Sequence, residues 1–414
     1  MNLNQNFESV VEQAAIKWFR DIGYEYLHGS EIPIEDRKDY REVILKDRVY
    51  NALVKLNPSL PLNCIEEAIG QLKNLQYPRI ELNNREIHKI YRNGAVVTRR
   101  NKEGEEVGEI VKIFDYENPQ NNDFLVCNQV KIKGAGTRIP DIVVYINGLP
   151  VGLFELKNPL DEAATIEGAY RQLELYKRDI PDLFAYNEIC VVSDGTEAKA
   201  GTLTAPWERF SAWKSIDGVN SVKEMPALEV LIKGMFDKTR VLDIIRNFIT
   251  FTTVKDEVIK IMTMYHQYYG VNRAVEETIR ATSPGGDRRI GTFWHTQGSG
   301  KSLSMVFYTG KIIRQKELQN PTIVVITDRN DLDDQLYSTF CNASDLIPYP
   351  KQAESVEDLK EKLSQVAAGG IFFTTIQKFQ GEAEESLEIS DSKLKRGECK
   401  YFCVWELLAP FWRC

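Results

Sequence analysis

The spacing of hydrophobic residues predicts helices at the start of the chain and strands after them. From Glu8 to Phe19 apolar residues recur every three to four positions, which is the period of one helix face, and the first 75 residues follow a helical pattern. From about residue 75 to 156 short apolar runs bounded by polar residues are typical of strands. These predicted strands are Ala95–Thr98, Ile110–Phe114, Phe124–Cys127, Val130–Ile132, Asp141–Ile146 and Val151–Leu156.

A helix is predicted over Ala163–Tyr176 and a buried strand over Glu188–Ser193, which completes an α+β unit. From about residue 239 strands alternate with helices, as in a parallel α/β sheet. The strands predicted there are Ile290–Trp294, Thr322–Thr327 and Gly370–Thr375. We therefore predict one domain over residues 1–225, a second over 226–398, and an atypical tail over 399–414.

The composition is ordinary for a soluble globular protein, with 43% hydrophobic and 27% charged residues among 414. No apolar run reaches the roughly 18 residues of a membrane span, and no secretion signal is evident, so we expect a cytoplasmic protein. Scattered cysteines without a Cys-x-x-Cys pair indicate reduced thiols and no zinc site. The net charge of −8 counts against a nonspecific nucleic-acid coat, but not against an enzyme that meets DNA through local patches.

The sequence His-Thr-Gln-Gly-Ser-Gly-Lys-Ser at 295–302 is a phosphate-loop motif between a predicted strand and a predicted helix. The backbone N–H groups of such a loop cradle phosphates, the Lys301 side chain would reach the β- and γ-phosphates, and the Ser302 hydroxyl would ligate Mg²⁺. His295 stands where the general motif has Gly, and an ordinary glycine turn is the alternative. The predicted ATP-binding residues are Thr296, Gln297, Gly298, Ser299, Gly300, Lys301 and Ser302.

Two acids and a lysine fall on two neighbouring predicted strands. Asp141 follows Pro140 at the start of one strand, Glu155 and Lys157 close the next, and Asn-Gly at 147–148 marks the turn between them. Asp141 and Glu155 could hold Mg²⁺, while Lys157 would orient or activate a water for phosphodiester hydrolysis. The alternative is a surface strand pair whose charges are merely solvated.

The register of this hairpin decides whether the acids meet. A two-residue loop at 147–148 would place Asp141 and Glu155 on opposite faces, because side chains alternate along a strand. A three-residue loop or a β-bulge would bring the two acids opposite each other. We therefore predict an odd-length loop or a bulge. Further along, Gln172 and Tyr176 lie four residues apart on one helix face, where they could orient the site, contact DNA or simply pack.

With both motifs in one chain, in this order, the sequence resembles the restriction (motor and nuclease) subunit of type I restriction–modification enzymes. The resemblance covers about residues 1–385. It rests on Arg138–Pro159, Gln172 with Tyr176, Arg246–Phe251, Tyr265–Tyr269, Trp294–Ser302 and Thr327–Gln335. Within this family His295 is no anomaly, since His-Thr-Gln-Gly-Ser-Gly-Lys-Ser is the usual form of its phosphate loop.

The resemblance implies a PD-(D/E)xK restriction-endonuclease-like domain, α+β with a mixed sheet, followed by an incomplete RecA-like P-loop lobe with a parallel α/β sheet. Asp141, Glu155 and Lys157 would form the cleavage site, with Gln172 and Tyr176 as its accessory motif. Gln267 would read adenine, and Glu8 or Glu12 would add a carboxylate. The cofactors would be Mg²⁺ and ATP, and the partners double-stranded DNA and the methyltransferase and specificity subunits.

The sequence also departs from this family. After Phe379 no Asp-Glu pair closes an apolar strand, although a motor of this kind needs such a Walker B motif and a second lobe. Residues 399–414 hold three of the seven Cys and two of the six Trp. One hypothesis is that this tail is out of frame, since shifted codons for 398–404 can read as a Walker B strand. We therefore expect a truncated, motor-deficient chain.

Two alternatives stay open at this point. The chain could be an inactive remnant or a docking module for the methyltransferase subunit, which plasmid cleavage would distinguish from a nuclease. A repair helicase–nuclease fits less well, because those enzymes usually place the nuclease after the motor.

Overall fold

A computed structural model describes residues 3–100, 104–157, 165–222, 224–296, 298–327, 330–375 and 401–406. The chain divides into two compact units. The first comprises Met1–Ile249 and Thr253–Tyr265, and the second comprises Thr250–Thr252 and His266–Cys414. None of the helices in the described ranges combines the length and the apolar character that a membrane crossing requires.

The helices of the first unit are α1 Leu3–Asp21, α2 Lys46–Leu56, α3 Leu62–Lys73, α4 Ile80–Asn93, α5 Ile166–Asp179, α6 Pro181–Tyr186, α7 Ala227–Met235 and α8 Lys238–Asn247. Its strands are β1 Glu25–His28, β2 Ala95–Arg100, β3 Glu106–Val111, β4 Phe124–Asn128, β5 Ile132–Lys133, β6 Thr137–Arg138, β7 Ile142–Ile146, β8 Leu149–Leu156, β9 Ile189–Ser193 and β10 Ala198–Gly201, followed by β11 Ile249–Val254 and β12 Glu257–Met262.

The remaining elements begin at Tyr265, the last residue of the first unit. The helices are α9 Tyr265–Thr282, α10 Lys301–Ile313, α11 Asn330–Asn342 and α12 Val356–Ser364. The strands are β13 Thr322–Thr327, β14 Lys351–Gln352, β15 Ile371–Thr375 and β16 Tyr401–Glu406.

A mixed six-stranded sheet forms the centre of the first unit, in the order β1-β4-β7-β8-β9-β10. Strands β4, β7 and β8 are antiparallel neighbours, whereas β1 pairs with β4 and β8 with β9 in parallel. Every residue of β4, β7, β8 and β9 is buried, so the central strands are covered on both faces. This burial explains why their sequences read as continuous apolar runs.

Aromatic side chains pack α1 and the chain after α7 against this sheet. The ring of Phe19 lies 5.4 Å from that of Phe154 and 5.6 Å from that of Phe236, and the latter two rings are 5.1 Å apart. All three side chains are fully buried. The first unit therefore continues beyond residue 225, where the sequence suggested a boundary, because Phe236 belongs to its core.

The second unit contains a parallel sheet in the order β14-β15-β13-β16. Strands β13 and β15 match the predicted Thr322–Thr327 and Gly370–Thr375 closely. Strand β16, from the predicted atypical tail, runs parallel to β13 in a register that pairs Thr322 with Tyr401.

The predicted strand at Ile290–Trp294 is wrong, because the structure has no regular element there. Gly291 adopts a φ of +95°, which a strand does not accommodate. Phe293 and Trp294 are 41% and 79% exposed, so the apolar residues that suggested a strand do not pack into a core.

Candidate nuclease and nucleotide sites

The hairpin of β7 and β8 contains the bulge that the sequence required. Its turn is the two-residue Asn147-Gly148 loop, with φ of +50° and +76° at the two positions, and Ile146 pairs with Leu149. The register then shifts, so that Tyr145 pairs with Pro150 but Val144 pairs with Gly152. Val151 is the extra residue, so of the two predicted alternatives the bulge is confirmed and the odd-length loop is wrong.

This shift brings the two acids together. Because Ile142 pairs with Phe154, the next positions outward on the two strands are Asp141 and Glu155. Without the bulge, Asp141 would face Phe154 instead. The backbone N–H of Lys157 donates to the carbonyl of Ser193 at 2.8 Å, which fixes the end of β8 against β9.

The turn itself is held by α2. The backbone N–H of Leu45 donates to the carbonyl of Gly148 at 2.9 Å. A Cβ atom at Gly148 would lie 2.6 Å from the Leu45 carbonyl oxygen and 2.8 Å from the Val49 nitrogen. Only glycine fits this close approach at a positive φ, so the turn and the helix fix each other.

Hydrogen bonds within the hairpin orient both carboxylates. The backbone N–H of Leu156 donates to Oδ2 of Asp141 at 2.6 Å. The Lys157 ammonium donates to Oε1 of Glu155 at 2.5 Å. Glu155 is 3% exposed, so this ion pair lies largely away from water. Asp141, Glu155 and Lys157 therefore meet at one end of the hairpin.

Helix α5 adds the accessory pair. Thr165 caps its first turn, with its hydroxyl oxygen accepting from the N–H of Gly168 at 3.1 Å. Three residues before the end of α5, the Tyr176 hydroxyl donates to Oε2 of Glu155 at 2.9 Å. The Gln172 side chain lies close enough to that hydroxyl to lower its pKa. Both residues of the predicted pair thus lie at the site.

The charges at this site favour a bound cation. Burial, and next to it the carboxylate of Glu155, raise the pKa of Asp141 well above its usual range, although the Leu156 N–H and Lys157 oppose the rise. Burial and Glu155 likewise raise the pKa of the Tyr176 hydroxyl. A divalent cation between the carboxylates would relieve their mutual repulsion.

Helix α1 brings a third acid near. The buried Glu12 carboxylate accepts hydrogen bonds from Nδ2 of Asn128 and, at 2.9 Å, from Nε2 of Gln129. Its charge contributes to the raised pKa of Asp141. The Glu8 side chain lies outside the described part of the chain.

The oxygen ligands at this site fit an Mg²⁺ ion whose coordination is completed by water and substrate phosphate. Mg²⁺ is usually bound through one or two carboxylates, with water and substrate phosphate completing six oxygens. Asp141 and Glu155 supply two carboxylates. Within the described ranges, no group of three or more His, Cys, Asp or Glu side chains is arranged to hold a metal ion by itself.

The phosphate loop lies in the second unit and ends where α10 begins. Gly298 and Gly300 have φ of +79° and +81°, a conformation that favours glycine, and Gly300 is the residue before the first turn of the helix. Lys301 and Ser302 form that first turn, so the loop places backbone N–H groups, an ammonium and a hydroxyl at a helix N-terminus. Thr296 and Ser299 are joined by a hydrogen bond, and Gln297 lies outside the described residues.

Gln267, His266 and His295 form contacts around this loop that the sequence did not predict. The Gln267 amide donates to the carbonyl of Gly300 at 3.0 Å, and a Cβ atom at Gly300 would lie 2.6 Å from its Nε2. The rings of His266 and His295 are 5.2 Å apart. Burial, His266 and Lys301 lower the pKa of His295. A histidine in place of the usual glycine was the signal that could have indicated this pair.

The geometry thus places a carboxylate–lysine cluster in one unit and a glycine-containing loop at a helix N-terminus in the other. Residues 5–209 match the family model described as the N terminus of the type I restriction enzyme R protein, and residues 266–398 match the SWI2/SNF2 ATPase model.

The chain is 43% identical over 92% of its length to the type I restriction enzyme HindI endonuclease subunit of Haemophilus influenzae. It is 36% identical, again over 92% of its length, to a protein of Methanocaldococcus jannaschii provisionally named as the type I restriction enzyme MjaIXP endonuclease subunit. These alignments span 37% and 38% of the two relatives. The chain belongs to the family of type I restriction enzyme endonuclease subunits.

Proposed function

We propose that the first unit is a PD-(D/E)xK nuclease that hydrolyses double-stranded DNA with Mg²⁺, and that the second is part of the first RecA-like lobe of an ATP-driven DNA translocase. The convergence of Asp141, Glu155, Lys157 and Tyr176 at the end of one hairpin carries this proposal. The membership of the chain in a family whose named members are endonuclease subunits supports it.

In this proposal Asp141 and Glu155 hold the metal. Bound Mg²⁺ polarises a phosphoryl oxygen and lowers the pKa of a bound water. The Leu156 N–H holds Asp141 by one oxygen, and the Tyr176 hydroxyl holds Glu155 by one oxygen, so each carboxylate keeps a fixed direction. Outer hydrogen bonds of this kind tune metal ligands.

Lys157 completes the site as a proton-bearing cation beside the reacting phosphate. Its ammonium donates to Oε1 of Glu155 at 2.5 Å, and its side chain is 22% exposed, so it faces both the carboxylate and the outside. From this position it would orient the attacking water and stabilise charge that develops on the phosphate.

The nucleotide site would use the second unit. We propose that Thr296, Gln297, Gly298, Ser299, Gly300, Lys301 and Ser302 bind ATP, with Ser302 as a ligand of its Mg²⁺. Gln267 would bind adenine. Its contact with the Gly300 carbonyl would also couple the base to the phosphate loop. In the complete enzyme, methyltransferase and specificity subunits would supply DNA recognition, and cleavage would follow translocation.

Plasmid cleavage tests the nuclease proposal. Supercoiled DNA is incubated with the chain and Mg²⁺, or with EDTA, and nicked product is followed on gels. We expect Mg²⁺-dependent nicking that falls by at least about 100-fold in Asp141→Asn and Lys157→Ala. The control is Glu66→Gln, which removes an exposed carboxylate on α3. Cleavage that survives in both site variants would refute the assignment, and absence of cleavage by the unaltered chain would favour a non-catalytic role.

A further inference from the structure

Positive charge is concentrated in two short segments of the first unit. Residues 37–41 and 131–138 together contain six Lys or Arg and one Asp, in a chain whose net charge is −8. The second segment comprises β5, β6 and the Gly-Ala-Gly loop between them. A local excess of cations on an acidic protein indicates an anionic partner for this surface.

Hydrogen bonds to backbone carbonyls hold the two segments together. Arg37 donates to the carbonyls of Tyr40 and Lys131 at 2.7 and 2.6 Å, and the N–H of Lys133 donates to the carbonyl of Tyr40 at 2.9 Å. The Lys131 ammonium lies 4.9 Å from the centre of the Tyr40 ring. The Arg37 guanidinium therefore stabilises the contact between the two segments, because it donates its hydrogen bonds to carbonyls of the protein itself.

Other cations of this surface remain directed to solvent. Arg41, Lys131 and Lys133 are exposed, and in the described part of the chain none of their side chains pairs with a carboxylate. Tyr40 between them is 53% exposed. We call Tyr40, Arg41, Lys131 and Lys133 the basic patch. Asp39 is the one acid of the two segments, and its Oδ1 accepts from the N–H of Arg41 at 3.0 Å.

The β5–β6 hairpin, which carries Lys133 of the basic patch, is connected to the proposed nuclease site in two ways. Arg138 on β6 lies three residues before Asp141, so their Cα atoms are at most about 10 Å apart. Arg138 also pairs with Asp179 at the end of α5, the helix that carries Tyr176. A Cβ atom at Gly134 would lie 2.3 Å from the Asp179 carbonyl oxygen, so the loop packs closely on that helix end.

We propose that the basic patch binds the phosphate backbone of double-stranded DNA next to the nuclease site and positions the scissile phosphate. The inference rests on the proposed nuclease function, which makes DNA the anionic partner. Exposed Lys and Arg side chains supply sequence-independent phosphate contacts, and an exposed tyrosine hydroxyl can add another. The β5–β6 pairing joins Lys133 to the site through Arg138, which suits contacts to neighbouring phosphates of one duplex.

The salt dependence of binding tests this inference. Affinity of the full chain for a short fluorescent duplex is measured by anisotropy in EDTA over a series of NaCl concentrations. Each phosphate contact contributes about 0.9 to the slope of log K against log salt. The triple variant Arg41→Gln, Lys131→Gln, Lys133→Gln is expected to lower that slope by about 2 to 3 and to weaken binding roughly tenfold or more at low salt.

The control removes three exposed lysines elsewhere in the first unit, Lys73, Lys112 and Lys214, by substitution with Gln. We expect its slope to stay within about 1 of the unaltered chain. Lys131→Arg with Lys133→Arg conserves charge and should keep both slope and affinity. Thermal unfolding of each variant establishes whether it is folded. If the triple variant is not folded, the single variant Lys133→Gln replaces it and is expected to lower the slope by about 0.9.

Equal slopes for the basic-patch and control variants would overturn the inference, as would no measurable binding by the unaltered chain. The outcome is separable from that of the nuclease proposal. Asp141→Asn should keep the full salt slope while losing cleavage. If the triple variant lowers the slope but the unaltered chain shows no cleavage, the DNA-binding inference stands and the nuclease proposal is contradicted.

Discussion

The Tyr176 hydroxyl donates to Oε2 of Glu155 at 2.9 Å and thereby ties helix α5 to the end of strand β8. The other carboxylate oxygen, Oε1, accepts from Lys157. Glu155 is thus held on both sides before any metal binds, which leaves it little freedom to turn away from Asp141.

Removal of this one hydroxyl should impair metal use more than folding. We expect Tyr176→Phe to reduce Mg²⁺-dependent cleavage by about 10- to 100-fold, because the loss of an outer hydrogen bond to a metal ligand typically has this effect. The measurement is the initial nicking rate as a function of Mg²⁺ concentration, where the half-saturating concentration should rise. Tyr170→Phe on the same helix, whose hydroxyl contacts the Ala205 carbonyl, is the control and should leave the rate nearly unchanged.

The raised pKa of Asp141 predicts that the metal-free chain loses folding stability as the pH rises. A carboxyl whose pKa is raised by folding stabilises the protein below its unfolded value, near 3.9, and that stability is lost as the pH rises through the folded-state pKa. Asp141→Asn removes this loss, since its side-chain oxygen can still accept from Leu156. Its melting temperature should therefore exceed that of the unaltered chain in EDTA, and more so at pH 8 than at pH 4.

Two comparisons check this pH prediction. Asp21→Asn, which changes an exposed carboxyl at the end of α1, is the matched control. Added Mg²⁺ should raise the melting temperature of the unaltered chain at neutral pH but not that of Asp141→Asn. A stability difference that is constant from pH 4 to pH 8 would contradict the raised pKa.

The turn at 147–148 should tolerate no side chain at its second position. Gly148→Ala would force a Cβ atom to 2.6 Å from the Leu45 carbonyl at a φ of +76°, so we expect a loss of roughly 1 to 3 kcal/mol in the free energy of unfolding. Urea denaturation measures it. Gly70→Ala in α3, where a Cβ atom meets nothing within 4 Å, should instead stabilise by about 0.5 to 1 kcal/mol. Similar effects at both positions would count against the described turn.

A buried charge cluster near the sheet should be the most sensitive point for stability. The Lys260 ammonium lies 2.6 Å from Oε2 of Glu188, and Nδ1 of His88 lies 3.0 Å from the same oxygen, with all three side chains buried. Lys260→Met would leave the Glu188 carboxylate in a low-dielectric site, so we expect a loss of about 3 to 5 kcal/mol. Urea denaturation of Lys260→Met and of the double variant Lys260→Met, Glu188→Gln measures the coupling.

The double variant should be less destabilised than Lys260→Met alone, because no charge is then left unpaired. Folding lowers the pKa of Glu188, so its stabilising contribution is present at neutral pH and is lost as the pH falls through that lowered value. A loss below about 1 kcal/mol in Lys260→Met would show that the cluster contributes little.

Removal of the Lys301 side chain should weaken nucleotide binding by the phosphate loop. We expect Lys301→Ala to weaken binding of a fluorescent ATP analogue with Mg²⁺ by roughly 10- to 100-fold, as loss of a charged hydrogen bond typically does. Lys360→Ala, an exposed lysine on α12, is the matched control. Equal nucleotide affinities in the two variants would show that Lys301 does not contribute to nucleotide binding.

Local patterns sufficed to predict the hairpin that carries the proposed nuclease site. Apolar runs identified β7 and β8, and the alternation of side chains showed that Asp141 and Glu155 meet only if the register shifts by one residue. The bulge could not be located from the sequence, because its position at Val151 depends on tertiary packing: a Cβ atom at Gly152 would lie 3.0 Å from both Phe236 and Val144. Phe236 is too distant in sequence for any local pattern to connect it.

Long-range contacts also explain what sequence reasoning missed. Glu188 and His88, the other two members of the Lys260 cluster, lie 72 and 172 residues before it, so nothing near Lys260 indicates a buried cluster. The Ile290–Trp294 run has strand composition, yet Gly291 and the exposure of Trp294 exclude a strand. Composition specifies which residues can be buried, but tertiary structure decides which of them are.

The most direct test of the account is a calorimetric titration of the nucleotide-free chain with Mg²⁺. The account predicts a binding site that is retained in Lys301→Ala and lost in the double variant Asp141→Asn, Glu155→Gln. Binding of unchanged affinity in the double variant would contradict the proposal that these two carboxylates hold the metal for DNA cleavage.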